Sequence, residues 1–194
     1  MNEKVYSYLV ENTGIIAEIT PFFAVYETFG LDMDTAVSQH ARLFGGGIIY
    51  LGLGSLFQKG RENSENYFHI GERSSWARPV HDVVYNAAFT AVVSPLTYLV
   101  AGETDMHKIF WGTVGGAVLG TINGAPVGYA IDVFQDLGGI KNCERPSYPT
   151  FLRETSPSVK KAFALGLLLA SAALTWGIYA FHEHASLEHL VEQH

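Results

Sequence analysis

Apolar residues along this chain gather into runs too long for the one-sided stripe of a soluble helix. Segments 45–57, 83–101 and 109–131 contain no Asp, Glu, Lys or Arg. A helix needs about 20 largely apolar residues to cross a bilayer. Five windows come to that length: 13–30, 36–57, 80–102, 106–134 and 162–181. The first is interrupted by Glu18, Pro21 and Glu27, and the second opens with Gln39, His40 and Arg42. The alternative, a soluble helical bundle, would show polar stripes at helical period. Residues 162–179 show none, their polar groups being Ser171, Thr175 and the Trp176 indole. The expected fold is therefore an all-α, polytopic membrane bundle of about five transmembrane helices forming a single domain.

Basic residues orient such a bundle, because cytoplasmic loops carry the excess of Lys and Arg. Lys4 precedes the first window, Lys59, Arg61, Arg73 and Arg78 follow the second, and Lys141, Arg145, Arg153, Lys160 and Lys161 follow the fourth. Ten of the 12 Lys and Arg thus fall on one side. The expectation is an N-in, C-out chain of the cytoplasmic membrane, with cytoplasmic loops 58–79 and 135–161 and an external tail 182–194. Trp76, Trp111 and Trp176 lie near window ends, where interfacial indoles belong. Pro146, Pro149 and Pro157 argue against a continuous helix through 144–158.

Composition sharpens this picture. Only 16% of the 194 residues are charged, against about 25% in an average soluble domain. Mean hydropathy is just +0.14, because segments 59–78 and 136–161 are polar. The single cysteine, Cys143, excludes an internal disulfide or a multi-thiolate metal site. The net charge of −7 gives no footprint for nucleic acid. The start lacks a basic cluster, and Glu18 and Glu27 interrupt the first apolar stretch, so no cleavable signal peptide is expected. His182, His184, His189 and His194 in the tail stand among acids but form no HExxH arrangement, and a solvated amphipathic end outweighs a metal site. No triad, phosphate loop or haem signature supports an enzyme, and no cofactor is expected.

The fourth window carries Gly112, Gly116, Gly120, Gly124 and Gly128, each four residues after the last. On one continuous helix they would line a smooth groove, and small residues at this spacing let a second backbone approach closely. Packing within the chain and a homodimer seam both fit. In the second window Gly45, Gly46 and Gly47 weaken the helix by up to about 1 kcal/mol each, so a bend or a very close neighbour is expected there. Pro95 and Pro126 can kink their helices and free carbonyls, as transporters do at binding sites. Both are also ordinary in membrane helices.

Charges within spans are costly. Glu18, Glu27, Arg42, Asp82 and Asp132 are the candidates, arranged as an outer layer of Glu27 with Arg42 and an inner layer of Glu18 with Asp82 and Asp132. For Asp82 snorkelling to the nearby interface is the plainer account, and for Asp132 snorkelling and a functional role fit equally. Three carboxylates in one layer repel unless one is protonated, which is how proton-coupled transport uses them.

Two groups of residues resemble the bacterial L-alanine exporter family. The first is 11–43, with Thr13, Glu27, Phe29 and Ala41-Arg42-Leu43. The second is Asp82, Ser94-Pro95, Tyr98 and Gly102, followed by Gly124-Ala-Pro-Val-Gly128-Tyr129-Ala-Ile-Asp132. The likeness covers roughly 11–134. Here a fifth window and an acidic tail are added, the step from Asp82 to Pro95 is about a turn longer, and 54–59 lacks the family's Tyr-Gly and Arg-Asp pairs. The resemblance implies proton-driven export of L-alanine or another small neutral amino acid. Arg42 would meet a carboxylate, Asp82 and Glu18 would exchange protons, and Asp132 would order the cytoplasmic mouth. A thin-walled bundle of this size implies a homo-oligomer, a dimer first. A non-transporting membrane subunit or assembly factor, or a small channel, is the alternative.

Overall fold

The computed structural model describes the backbone of residues 2–72 and 76–192; the side chains of Gln58, Arg78, Pro79, Asp82, Ala125 and 187–192 lie outside the described set. Among the described residues every regular element is helical. The order is α1 (Glu3–Val25), a π turn (Tyr26–Gly30), α2 (Thr35–Ile48), a second π turn (Ile49–Leu53), α3 (Gly54–Tyr67), a 3₁₀ turn (Ile70–Glu72), α4 (Ala77–Ala101), α5 (Met106–Ile122), α6 (Gly124–Leu137), α7 (Thr150–Arg153) and α8 (Pro157–Glu192).

Two helices are long and apolar enough to cross a membrane, α4 over Val83–Ala101 and α8 over Pro157–Ser186. A third is added if Met106–Ile122 and Pro126–Leu137 count as one broken span. Only 11% and 6% of the two unbroken spans is buried inside the protein, and Val84, Val92, Leu96, Leu169, Leu174 and Phe181 stand exposed. Water disfavours apolar faces of that extent, and lipid accommodates them. With its 36 residues, α8 runs about 54 Å at 1.5 Å per residue, longer than the expected window at both ends. Pro157 opens it, at the one helical position where a missing N–H costs nothing.

Of the other expected spans, the first, 13–30, runs on through α1 and the π turn, whereas the second and fourth are interrupted. In the second, 36–57, a bend or a very close neighbour was expected at Gly45–Gly47. Those glycines lie within α2, and the break falls at Gly52, whose φ of +117° only glycine adopts without strain. The fourth, 106–134, is interrupted at Asn123, between α5 and α6. Pro126 explains the position: it cannot donate to the carbonyl of residue 122, and its ring would strike that carbonyl. The five glycines therefore do not line one groove. Gly112, Gly116 and Gly120 belong to α5, and Gly124 and Gly128 to α6.

By its internal packing the chain divides into two compact units, Met1–Thr35 with Asn123–His194, and Ala36–Ile122. In the first, α1 packs on α6 and α8, and α6 on α8. A buried apolar cluster of Val133, Leu137, Cys143, Tyr148 and Leu152 forms where segment 138–156 folds back over the end of α6. In the second, α4 packs on α5 and α3. A Cβ on Gly112 would lie 2.6 Å from the Tyr98 ring, and one on Gly120 would lie 3.0 Å from Asn86 Nδ2. These two glycines thus face α4 within the same chain.

Candidate functional site

Glu11, Gly14 and Glu18 follow one another on α1 at spacings of three and four, which places them on one face. That face meets α6. A Cβ on Gly14 would lie 3.0 Å from the Ala130 carbonyl oxygen and 3.1 Å from Phe134 Cβ, so the bare glycine sets how closely the two helices approach. A carboxylate stands on either side of this contact. Glu11 Oε1 accepts from Gln135 Nε2 at 2.8 Å and from Ser7 Oγ at 2.7 Å. Both oxygens of Glu18 accept from Asn123 Nδ2, at 2.9 and 2.8 Å. The pairing of 11 with 135, 14 with 130 and 18 with 123 makes α1 and α6 antiparallel. On another side of α1, Ser171 Oγ of α8 donates to the Ala17 carbonyl at 2.6 Å.

Glu18 is therefore a carboxylate on the face of α1 that meets α6, and its partner sits at a helix break. Asn123 has φ −83° and ψ 1°, outside the helical region on both sides of it. The amide is a neutral donor. It can hydrogen-bond to the charged carboxylate and, by turning its oxygen inward, accept from the protonated acid. Such a pair tolerates a change of protonation that an Arg or Lys partner would resist.

Two clusters flank this pair within the same unit. At the end of α6, Asp136 accepts from Tyr148 Oη at 2.6 Å, from Lys160 Nζ at 3.0 Å and from the Cys143 backbone N–H at 3.4 Å. Asp136, Tyr148 and Lys160 are all buried. Burial and the adjoining carboxylate push the Tyr148 phenol well above its ordinary range, so it remains a donor. Nearby, Arg145 Nε donates to Asp132 Oδ2 at 2.6 Å and Arg153 donates to the Arg145 carbonyl. At the opposite end Glu27 is fully buried. There the Phe29 ring meets His182 edge-on at 5.2 Å, and His182 Nδ1 is 3.2 Å from Thr35 Oγ1.

Glu18, Glu27 and Asp132 belong to one unit and Arg42 and Asp82 to the other. Glu18 is taken up by Asn123, whereas Asp132 is paired with Arg145, so the two carboxylates have separate partners. Arg42 is half-buried on α2, and the Asp82 side chain lies outside the described residues. Pro95 sits inside an unbroken α4. Asn123 was missed by sequence reasoning because it is uncharged, although an Asn-Gly pair just before Pro126 is a break signal. Asp136, Tyr148 and Lys160 were missed because they read as loop residues.

No family model, no curated protein and no solved structure matches the chain.

Proposed function

We propose that the protein is a transporter of the cytoplasmic membrane that exports L-alanine or another small neutral amino acid, driven by the proton gradient. The observation that carries this reading is Glu18 held by Asn123 at the break between α5 and α6. A carboxylate within a span is rarely accidental, given what it costs there. Secondary transporters place their substrate and ion sites at interrupted helices, where freed backbone groups face the ligand. Protonation of Glu18 removes that cost, and its release on the other side couples substrate movement to the gradient. In this reading the chain crosses five times, N-in and C-out, supported by the five apolar windows and by the one-sided Lys and Arg. It acts as a homodimer, with Arg42 meeting the substrate carboxylate and Asp82 a second proton carrier.

The test is efflux of labelled alanine from proteoliposomes, with and without an imposed pH gradient. Wild type should move alanine only with the gradient. Glu18→Gln keeps the side chain's shape but cannot release a proton, so it should lose efflux while keeping its size-exclusion profile. Normal efflux by Glu18→Gln would remove that residue from the mechanism. No alanine movement by wild type would remove the exporter reading.

A non-transporting membrane subunit is the second reading. The internal pairing of Asp132 with Arg145 and of Asp136 with Lys160 favours it, since charges fixed in this way serve architecture rather than proton release.

A further inference from the structure

Beside the α6–α8 junction lie two hollows that adjoin. One, of about 530 Å³, is polar and is bordered by Lys141, Asn142, Thr155, Lys160 and Lys161. The other, of about 230 Å³, is apolar and runs between α1, α6 and α8 past Val10, Phe134, Ala164, Leu165 and Leu168. Leu137, Gly138 and Lys161 border both. The polar hollow lies at the first residues of the α8 span, Pro157, Lys160 and Lys161, and the apolar one runs on from Lys161 to Leu168.

The charge in the polar hollow is not balanced from within. Asp136 is saturated by Tyr148, Lys160 and the Cys143 N–H, so it offsets Lys160 alone. Lys141 and Lys161 are exposed and have no carboxylate partner among the described residues. Two positive charges therefore remain at the rim. Lys161 borders both hollows, and a lysine combines an aliphatic stem suited to the apolar one with an ammonium suited to the polar one. A basic pocket joined to an apolar groove at membrane depth matches an amphiphile with an anionic head.

We propose that this site holds an anionic phospholipid, its phosphate between Lys141 and Lys161 and the first part of one acyl chain in the groove against Leu165 and Leu168. A free anion would leave the groove empty. A zwitterionic lipid would bring its own cation to the lysines.

The test uses the full-length protein in a mild detergent, with phosphatidylglycerol, phosphatidylcholine of the same chains, or inorganic phosphate added. Thermal unfolding and native mass spectrometry are the readouts. Phosphatidylglycerol should raise Tm and give a one-to-one adduct that phosphatidylcholine does not give at the same concentration. Lys141→Gln with Lys161→Gln should weaken that adduct about thirtyfold. Lys59→Gln, in the other unit, should leave it unchanged. Neither Lys141 nor Lys161 has an ion pair among the described residues, so the double variant should keep the wild-type Tm without lipid. Equal stabilisation by phosphatidylcholine would overturn the proposal in favour of a general lipid groove. Stabilisation by inorganic phosphate alone would overturn it in favour of a soluble anion. An undiminished adduct in the double variant would overturn the role of the lysines. The comparison of lipids on wild type stands whether or not the variant is made.

Discussion

The two units of this chain solve the same problem differently. Helices in lipid gain nothing from hiding apolar surface from one another, so they associate through close packing or through hydrogen bonds. The unit of α1, α6 and α8 relies on hydrogen bonds. Glu11 with Gln135, Glu18 with Asn123, Ser171 with the Ala17 carbonyl and Asp136 with Lys160 each tie one helix to another. The unit of α2 to α5 relies more on shape: buried Tyr98 lies over Gly112, and Asn86 lies over Gly120. Titratable groups within the first unit's helix contacts can change state, whereas a ring seated on a glycine cannot. Of the contacts just named, the polar ties of the first unit are therefore the ones whose strength can follow pH.

The sharpest way to break the comparison is to remove a polar tie. Lys160→Ala leaves the buried Asp136 charge without its cation, which typically costs about 3–5 kcal/mol. The Tm of the detergent-solubilised protein should fall accordingly. Lys160→Met with Asp136→Leu, which removes both charges, should recover much of that loss. A drop of under about 1 kcal/mol for Lys160→Ala would mean that this pair behaves like a surface pair and that the unit is held in some other way.

Tyr148 tests the same cluster with pH. Tyr148→Phe deletes the hydrogen bond to Asp136, worth about 1.5–3 kcal/mol when the acceptor is charged. Because the folded phenol ionises above its ordinary range, its contribution is fully present below the unfolded pKa of about 10. That contribution is lost as pH rises beyond it, since the unfolded chain then releases a proton that the folded one holds. Wild-type stability should therefore fall on the alkaline side, and Tyr148→Phe should fall less steeply. Parallel alkaline limbs in the two proteins would detach the phenol from the cluster.

How far the sequence reveals this can be judged helix by helix. Runs without charge identify α4 and α8, because composition alone decides whether a helix can lie in lipid. The helix breaks are harder to read, since each depends on one backbone position within a run that remains apolar. Pairing is harder still. Asp136 and Lys160 are 24 residues apart, across a segment whose prolines mark a loop but not where it folds back. Glu18 stands out as a charge in a span, yet its partner Asn123 carries no charge to single it out.

In the second unit the corresponding break is a matter of shape. Gly112→Ala would place a methyl group 2.6 Å from the Tyr98 ring, and such overpacking costs about 1–3 kcal/mol. Gly166→Ala on α8 meets nothing within 4 Å and should be neutral or slightly stabilising. Equal effects on Tm would mean that Tyr98 yields freely and that α4 and α5 are not registered by this contact.

The smallest effect separates the two helix interruptions, one in each unit. The break before α6 follows from Pro126, whose ring and missing N–H forbid a regular turn whatever the neighbours do. The break after α2 rests on Gly52, which has φ +117° and open space where a Cβ would stand. A methyl group there meets no atom, so any cost must come from the backbone itself. A left-handed conformation costs an L residue about 1–2 kcal/mol, and Gly52→Ala should lower stability by that much. Gly47 also has open space around it, but it lies inside α2 at a helical conformation. There alanine should raise stability by up to about 1 kcal/mol, the difference in helix propensity. Two glycines five positions apart, both with open space where a Cβ would stand, should thus respond to the same substitution with opposite signs. Thermal unfolding of the two single variants decides it. If Gly52→Ala stabilises as Gly47→Ala does, the helix runs straight through 49–53, and the second expected span is continuous after all.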